Sequence, residues 1–142
     1  MRFWFEENMY GTFREIRPAG ASGRFDFWCH AEASLGRFLK DKTTRLHGTV
    51  TMEGVVRDAP MEGTLRIDIL GDKELVYDFT FVGDGARYRF LGRKSVRYTR
   101  PVSSMTTLVG KVEKDGMTYA DVESHFHLLE LPSFLASWRL GL

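Results

Sequence analysis

Along most of this chain apolar and polar residues alternate one by one. In FWFEENMYGTF the odd positions Phe3, Phe5, Met9 and Phe13 share one side of an extended backbone, and in RFDFWCHAEAS so do Phe25, Phe27, Cys29, Ala31 and Ala33. Leu46, Val50 and Met52 repeat the pattern, followed by Met61, Leu65, Ile67 and Ile69, and then by Leu75, Tyr77, Phe79 and Phe81. Successive side chains of a strand point to opposite faces, so the alternation predicts antiparallel strands with one face buried.

Helical spacing occurs twice. Ser34 precedes LGRFLKD, where Leu35, Phe38 and Leu39 fall at i, i+3 and i+4 and the serine hydroxyl can cap a short helix. Near the end, LPSFLASW places Leu131, Phe134, Leu135 and Trp138 at i, i+3, i+4 and i+7, with Pro132 acceptable in a first turn. The expected fold is all-β: residues 1–142 form a single domain, an antiparallel up-and-down barrel of the calycin or lipocalin kind. It has about eight or nine strands, a short helix after the second and a C-terminal helix, and its closure removes exposed sheet edges.

The stretch GDGARYRFLGRKS has the look of a phosphate-binding loop. Six residues separate Gly85 from Gly92, however, and Arg93 stands before Lys94. A P-loop needs four residues between its glycines, then Lys and Ser/Thr. A two-residue hairpin at Asp84-Gly85 fits better, because it pairs Gly83 with Ala86, Phe81 with Tyr88 and Phe79 with Phe90. Six cations (Arg87, Arg89, Arg93, Lys94, Arg97 and Arg100) occupy 86–100 without an acid. They read as a solvated strand face partly neutralised by Asp78, with an anion or lipid-headgroup site as the sharper alternative.

Composition narrows the function classes. Twenty Lys and Arg against nineteen Asp and Glu give a formal charge of +1, without the basic excess of a nucleic-acid binder. A single cysteine, Cys29, allows no internal disulfide, and it sits in an apolar row as an inert core thiol. The acidic start MRFWFEENMY lacks the features of a signal peptide, and no apolar run is long enough for a membrane span, so a soluble cytoplasmic protein is expected.

Candidate chemistry is sparse. DVESHFHL puts Asp121, Glu123, His125 and His127 on one face of a strand, with His30 or His47 as a further ligand from elsewhere. The opposite face, Ala120, Val122, Phe126 and Leu128, reads as core, which sends the histidines to solvent; no metal or other cofactor is expected. One ambiguity stays open. A two-residue turn at Asp115-Gly116 would set Val109 against Val122 and Val112 against Tyr119, leaving both faces mixed, so the polar row could line a cavity. Glu6 and Glu7 are neighbours in the chain and point apart, and no serine lies in a nucleophile-elbow motif. Trp4, Tyr10 and Trp28 lie on the less apolar faces of the first two strands, to be covered by the C-terminal helix or to form a partner surface.

The stretch FEENMYG fits F-x-E-x-M-x-G. With HGTVTMEG, MEGTLRI, YDFTFVGDGARYRFLGRKSVR, MTTLVGKV and LPSFLASW, it resembles an accessory segment of bacterial cholesterol-oxidase-like (GMC-type) flavin oxidoreductases, from about Phe3 to Trp138. No strand here is followed by G-x-G-x-x-G, so oxidase activity is not implied; lipid or sterol metabolism is. The expected function is non-catalytic binding of a small apolar or amphipathic, lipid- or sterol-like molecule, since a barrel of about eight strands can hold one small ligand. The expected contacts are Phe5, Phe27, Tyr77, Phe79, Phe81, Tyr88 and Phe90, with Arg97 for a polar head at the mouth. The alternatives are a module binding a partner oxidoreductase through Trp4, Tyr10 and Trp28, or a barrel isomerase or cyclase using Glu123 and His125. A homodimer is compatible with each.

Overall fold

The computed structural model describes residues 1–16, 20–68, 71–95, 107–126 and 138–141. In chain order they form β1 (Arg2–Glu15), β2 (Ser22–Ser34), α1 (Leu35–Asp41), β3 (Thr43–Met52), β4 (Val56–Asp68), β5 (Glu74–Gly83), β6 (Ala86–Ser95), β7 (Thr107–Lys114), β8 (Met117–His125) and β9 (Arg139–Gly141). Each of the first eight strands pairs antiparallel with its neighbours in sequence, and β1 pairs with both β2 and β8, which closes an eight-stranded barrel. β9 continues the sheet along Arg2–Trp4, a part of β1 that β8 does not reach. The expected C-terminal helix falls on residues of which 131–137 lie outside those described. No described helix is long and apolar enough to cross a membrane.

The alternation places the core as expected. Phe3, Phe5, Met9 and Phe13 from β1 turn inward with Phe25, Phe27, Cys29 and Ala31 from β2, and Tyr77, Phe79 and Phe81 from β5 face Tyr88 and Phe90 from β6. Ser34 caps α1 by accepting the Arg37 amide at 3.4 Å, and Phe38 packs edge-on against Phe3 with ring centroids 5.1 Å apart. Leu39 departs from the helical reading: it is 71% exposed, because seven residues make too short a helix to turn every apolar position inward.

Asp84-Gly85 forms the β5–β6 turn, with φ of 48° and 75°, and its register brings Phe79 opposite Phe90 and Phe81 opposite Tyr88. The β7–β8 hairpin also turns where expected, at Asp115-Gly116. Its register does not follow from the turn. A bulge at Tyr119 shifts the pairing, so Val112 meets Ala120, Gly110 meets Val122 and Val109 meets Glu123. One extra residue in a strand rotates everything beyond it by one face. The shift resolves the mixed faces: Leu108, Val112, Ala120 and Val122 point inward, while Asp121, Glu123 and His125 point outward.

Tight turns gather at one end of the barrel, hereafter the hairpin end. The other, the helix end, carries α1 and the turn after β4. Asp68 organises that turn. Its carboxylate accepts the backbone amides of Asp72 and Gly71 at 3.1 and 2.9 Å and the Lys42 ammonium at 3.0 Å, with Arg66 at 3.3 Å. The Asp72 amide first, then Lys42 and the Gly71 amide, hold its carboxyl at about 2, below the ordinary 3.8.

Two measurements follow from this architecture. Gly85→Val forces a β-branched side chain to positive φ, so the urea midpoint should drop by the equivalent of about 1 kcal/mol or more, with Gly85→Asn much milder. Because Asp68 has its folded pKa depressed, its contribution is complete above the ordinary 3.8 and is lost as pH falls from there toward about 2. Acid titration of urea midpoints should show this loss in the native protein, and Asp68→Asn should flatten the curve over that window.

Candidate functional site

The inward row of β1 runs Phe3, Phe5, Glu7, Met9, so a carboxylate stands where the pattern calls for an apolar residue. The inward row of β6 runs Ala86, Tyr88, Phe90, Gly92, Lys94 and ends in a lysine. Both are buried, Glu7 at 6% and Lys94 at 2% exposure. They meet inside the barrel: Lys94 Nζ donates to Glu7 Oε2 at 3.0 Å, and the Tyr77 hydroxyl donates to Glu7 Oε1 at 2.5 Å. The Lys94 ammonium also lies 5.1 Å from the centroid of the Tyr77 ring. In the closed strand order β5 stands opposite β1, so the Tyr77–Glu7 bond crosses the whole lumen.

Taking a carboxylate and an ammonium out of water costs several kcal/mol each, which pairing recovers only with good geometry. Here both carboxylate oxygens are satisfied, one of them by a short charge-assisted bond. Burial first, then the charge of Glu7, pushes the Tyr77 phenol well up, so Tyr77 remains a donor. The Cys29 thiol, also inward, is raised by burial and then by Glu7, which keeps it a neutral core thiol. With Glu7 fully engaged and Lys94 held as its counter-ion, the cluster offers neither a free base nor a free nucleophile.

Toward the hairpin end the lumen is filled by rings. Phe25 and Phe27 reach across from β2 to Phe90 and Phe79, each pair with centroids 5.2 Å apart, and Phe81 stacks on Tyr88 at 5.2 Å. Of the residues expected to contact a ligand, Phe79, Phe81, Tyr88 and Phe90 belong to this packed layer. Phe27 touches both it and Tyr77, at 5.9 Å. Phe5 lies on the helix side and stacks on Trp138 at 4.3 Å. Arg97 lies outside the described residues, as do Arg100 and His127.

The cationic stretch divides. Arg87, Arg89 and Arg93 face water, Arg89 in a two-pronged pair with Asp78 at 2.9 and 2.6 Å and Arg93 3.6 Å from Glu74. Lys94 breaks from that solvated face and enters the core, because strand parity sends it inward. Glu123 and His125 lie 3.4 Å apart on the outer surface and point away from the lumen. Register keeps them from His30 and His47: Glu123 stands opposite Thr12, whereas His30 stands opposite Glu6 further along β1, its ring 4.8 Å from that of His47 and tilted to it. Among the described residues no group of three metal-ligating side chains is assembled. Trp4, Tyr10 and Trp28 are half-buried on the outer faces of β1 and β2, with Gly141 of β9 against the Trp4 ring.

Sequence reasoning missed Glu7 and Lys94 as partners. The signal was present in their parity, since each is the charged member of an inward row. No family model, curated protein or solved structure matches the chain.

Removing one member of the cluster should cost far more than removing both. Glu7→Gln or Lys94→Met alone leaves a buried charge unpaired, an expected loss of about 3–5 kcal/mol in urea unfolding. The double variant should recover most of that loss. Two single losses that simply add in the double variant would show that the pair is not coupled.

Proposed function

We propose that this protein is a non-catalytic binder of a small apolar or amphipathic, lipid-like molecule, used in the manner of a calycin-type barrel. The ligand enters at the helix end, rests on Phe5, Phe27 and Tyr77, and sets its polar group against the Glu7–Lys94 pair. One observation carries this reading: two opposite charges are buried in a lumen otherwise lined by aromatic and aliphatic side chains. Folding alone has no need of them, since a well-packed apolar pair of similar volume is often as stable or more so. A few polar groups converging among apolar walls are the usual mark of a binding site. The closely packed ring layer toward the hairpin end supports reading that half as a floor, with the ligand on its other side.

Trp138 is the natural reporter, through its stack on Phe5. In a Trp4→Phe/Trp28→Phe variant, its emission should change saturably as a long-chain alcohol or a sterol is titrated in, at about one ligand per chain. A variant that melts cooperatively yet shows no saturable response across a panel of apolar molecules would refute the binding reading.

A further inference from the structure

Lys94 is the one buried lysine among the described residues, and its ammonium donates to Glu7 Oε2 at 3.0 Å. An ammonium has three N–H donors. Among the described residues the other two find nothing but the face of the Tyr77 ring, whose centroid is 5.1 Å from the nitrogen. Buried donors without hydrogen-bond partners are costly, so the arrangement calls for an explanation.

A protonated imine has a single N–H. Condensing the Lys94 amine with an aldehyde removes the two surplus hydrogens as water and leaves one N–H to meet Glu7 Oε2. The charge is unchanged, because the iminium carries the same single positive charge as the ammonium. Glu7 keeps its counter-ion, and its Oε1 keeps the Tyr77 hydroxyl. The product thus fits the polar groups of the lumen better than the free lysine does.

Neither Lys94 nor Glu7 is free as the pair stands, but each can release the other. In an apolar interior a neutral acid and amine are cheaper to bury than two ions, which brings proton transfer across the 3.0 Å contact within reach. The amine lone pair then adds to the aldehyde carbon. The carbonyl π pair moves to oxygen, which takes a proton from the nitrogen to become a hydroxyl. Glu7 returns its own proton to that hydroxyl, the C–O bond breaks, and water leaves with the electron pair. The nitrogen lone pair closes the C=N bond, which restores a cation beside a carboxylate. Buried lysines suit such condensations, and an apolar lumen slows the reverse hydrolysis by excluding water. Lys94 also lies one residue beyond Arg93–Val109, the last pair of the β6–β7 ladder, toward the helix end of the barrel.

We propose that the ligand is an apolar aldehyde, held as a protonated imine on Lys94 with Glu7 as its counter-ion, a step that rests on the binding reading above.

The test treats the protein with dodecanal at neutral pH, reduces the imine with cyanoborohydride and locates the adduct by peptide mass mapping. One adduct per chain is expected, with Lys94 labelled at least about tenfold more than any exposed lysine, although burial alone would make it the least reactive. Lys94→Arg keeps a cation beside Glu7 but has no amine to condense, so it should melt cooperatively and lose that adduct. Cinnamaldehyde gives a second readout, since its protonated imine absorbs to the red of the neutral imine. The native adduct should show the red band at neutral pH, and Glu7→Gln should move it to the blue. A native adduct that absorbs as the neutral imine overturns the role given to Glu7. A saturable Trp138 response to dodecanal without a reducible adduct on Lys94, or labelling spread evenly over exposed lysines, overturns the imine and leaves the binding reading standing. Absence of both an adduct and any saturable response, to dodecanal and to dodecanol alike, overturns the binding reading and the imine with it.

Discussion

A carboxylate on β1, held from the far wall by a phenol on β5 and a lysine on β6, ties this barrel across its lumen. Hydrogen bonds between neighbouring strands close the wall, but only side chains can link opposite sides of it. Most cross-lumen contacts here are aromatic, and aromatic contacts are forgiving: a strand shifted by two residues would still present rings to rings. The ion cluster is not forgiving. A two-residue slip of β1 or β6 would keep the rings inward but carry Glu7 or Lys94 roughly 6–7 Å along the barrel, stranding the partner in an apolar interior. The pair thus specifies a register that the Phe and Tyr rows alone would leave loosely set.

The cluster also divides the interior into two unlike halves. Toward the hairpin end, rings from β2, β5 and β6 fill the lumen, as expected for a barrel only wide enough for its own side chains. Toward the helix end stand Phe3 and Phe5, covered by Phe38 and Trp138. Rigid walls and a satisfied ion pair make the first half a foundation. The outer charges play no part in this division: Arg66, Arg89 and Arg93 are engaged with acids on neighbouring positions of the outer surface.

Much of the fold was legible because a strand's two-residue period is a local property. The inward identities of Phe3, Phe25, Leu46, Leu65, Phe79 and Phe90, the capped helix after Ser34, and the turn at Asp84-Gly85 all rest on interactions within a few residues or across one hairpin. The β7–β8 hairpin shows where that logic stops. Its turn was readable, but the bulge at Tyr119 was not, since it answers to packing of the Tyr119 ring near Tyr88 and to its hydrogen bond with Glu15 on β1. That choice between inside and outside for Glu123 and His125 was therefore made from beyond the hairpin.

The site divides in the same way. Sequence alone determined that Glu7 shares the parity of Phe5 and Met9 and Lys94 that of Tyr88 and Phe90, although the cationic run from Arg87 to Arg100 read as one solvated face. It could not determine that they are partners. Eighty-odd residues of chain lie between them, and a charged residue in an apolar row reads equally as a strand end, a solvated rim or a buried ion. Only barrel closure, which sets β1 opposite β5 and one strand from facing β6, brings the carboxylate within hydrogen-bonding distance of the phenol and the ammonium. Two desolvation costs that would be prohibitive separately then offset each other.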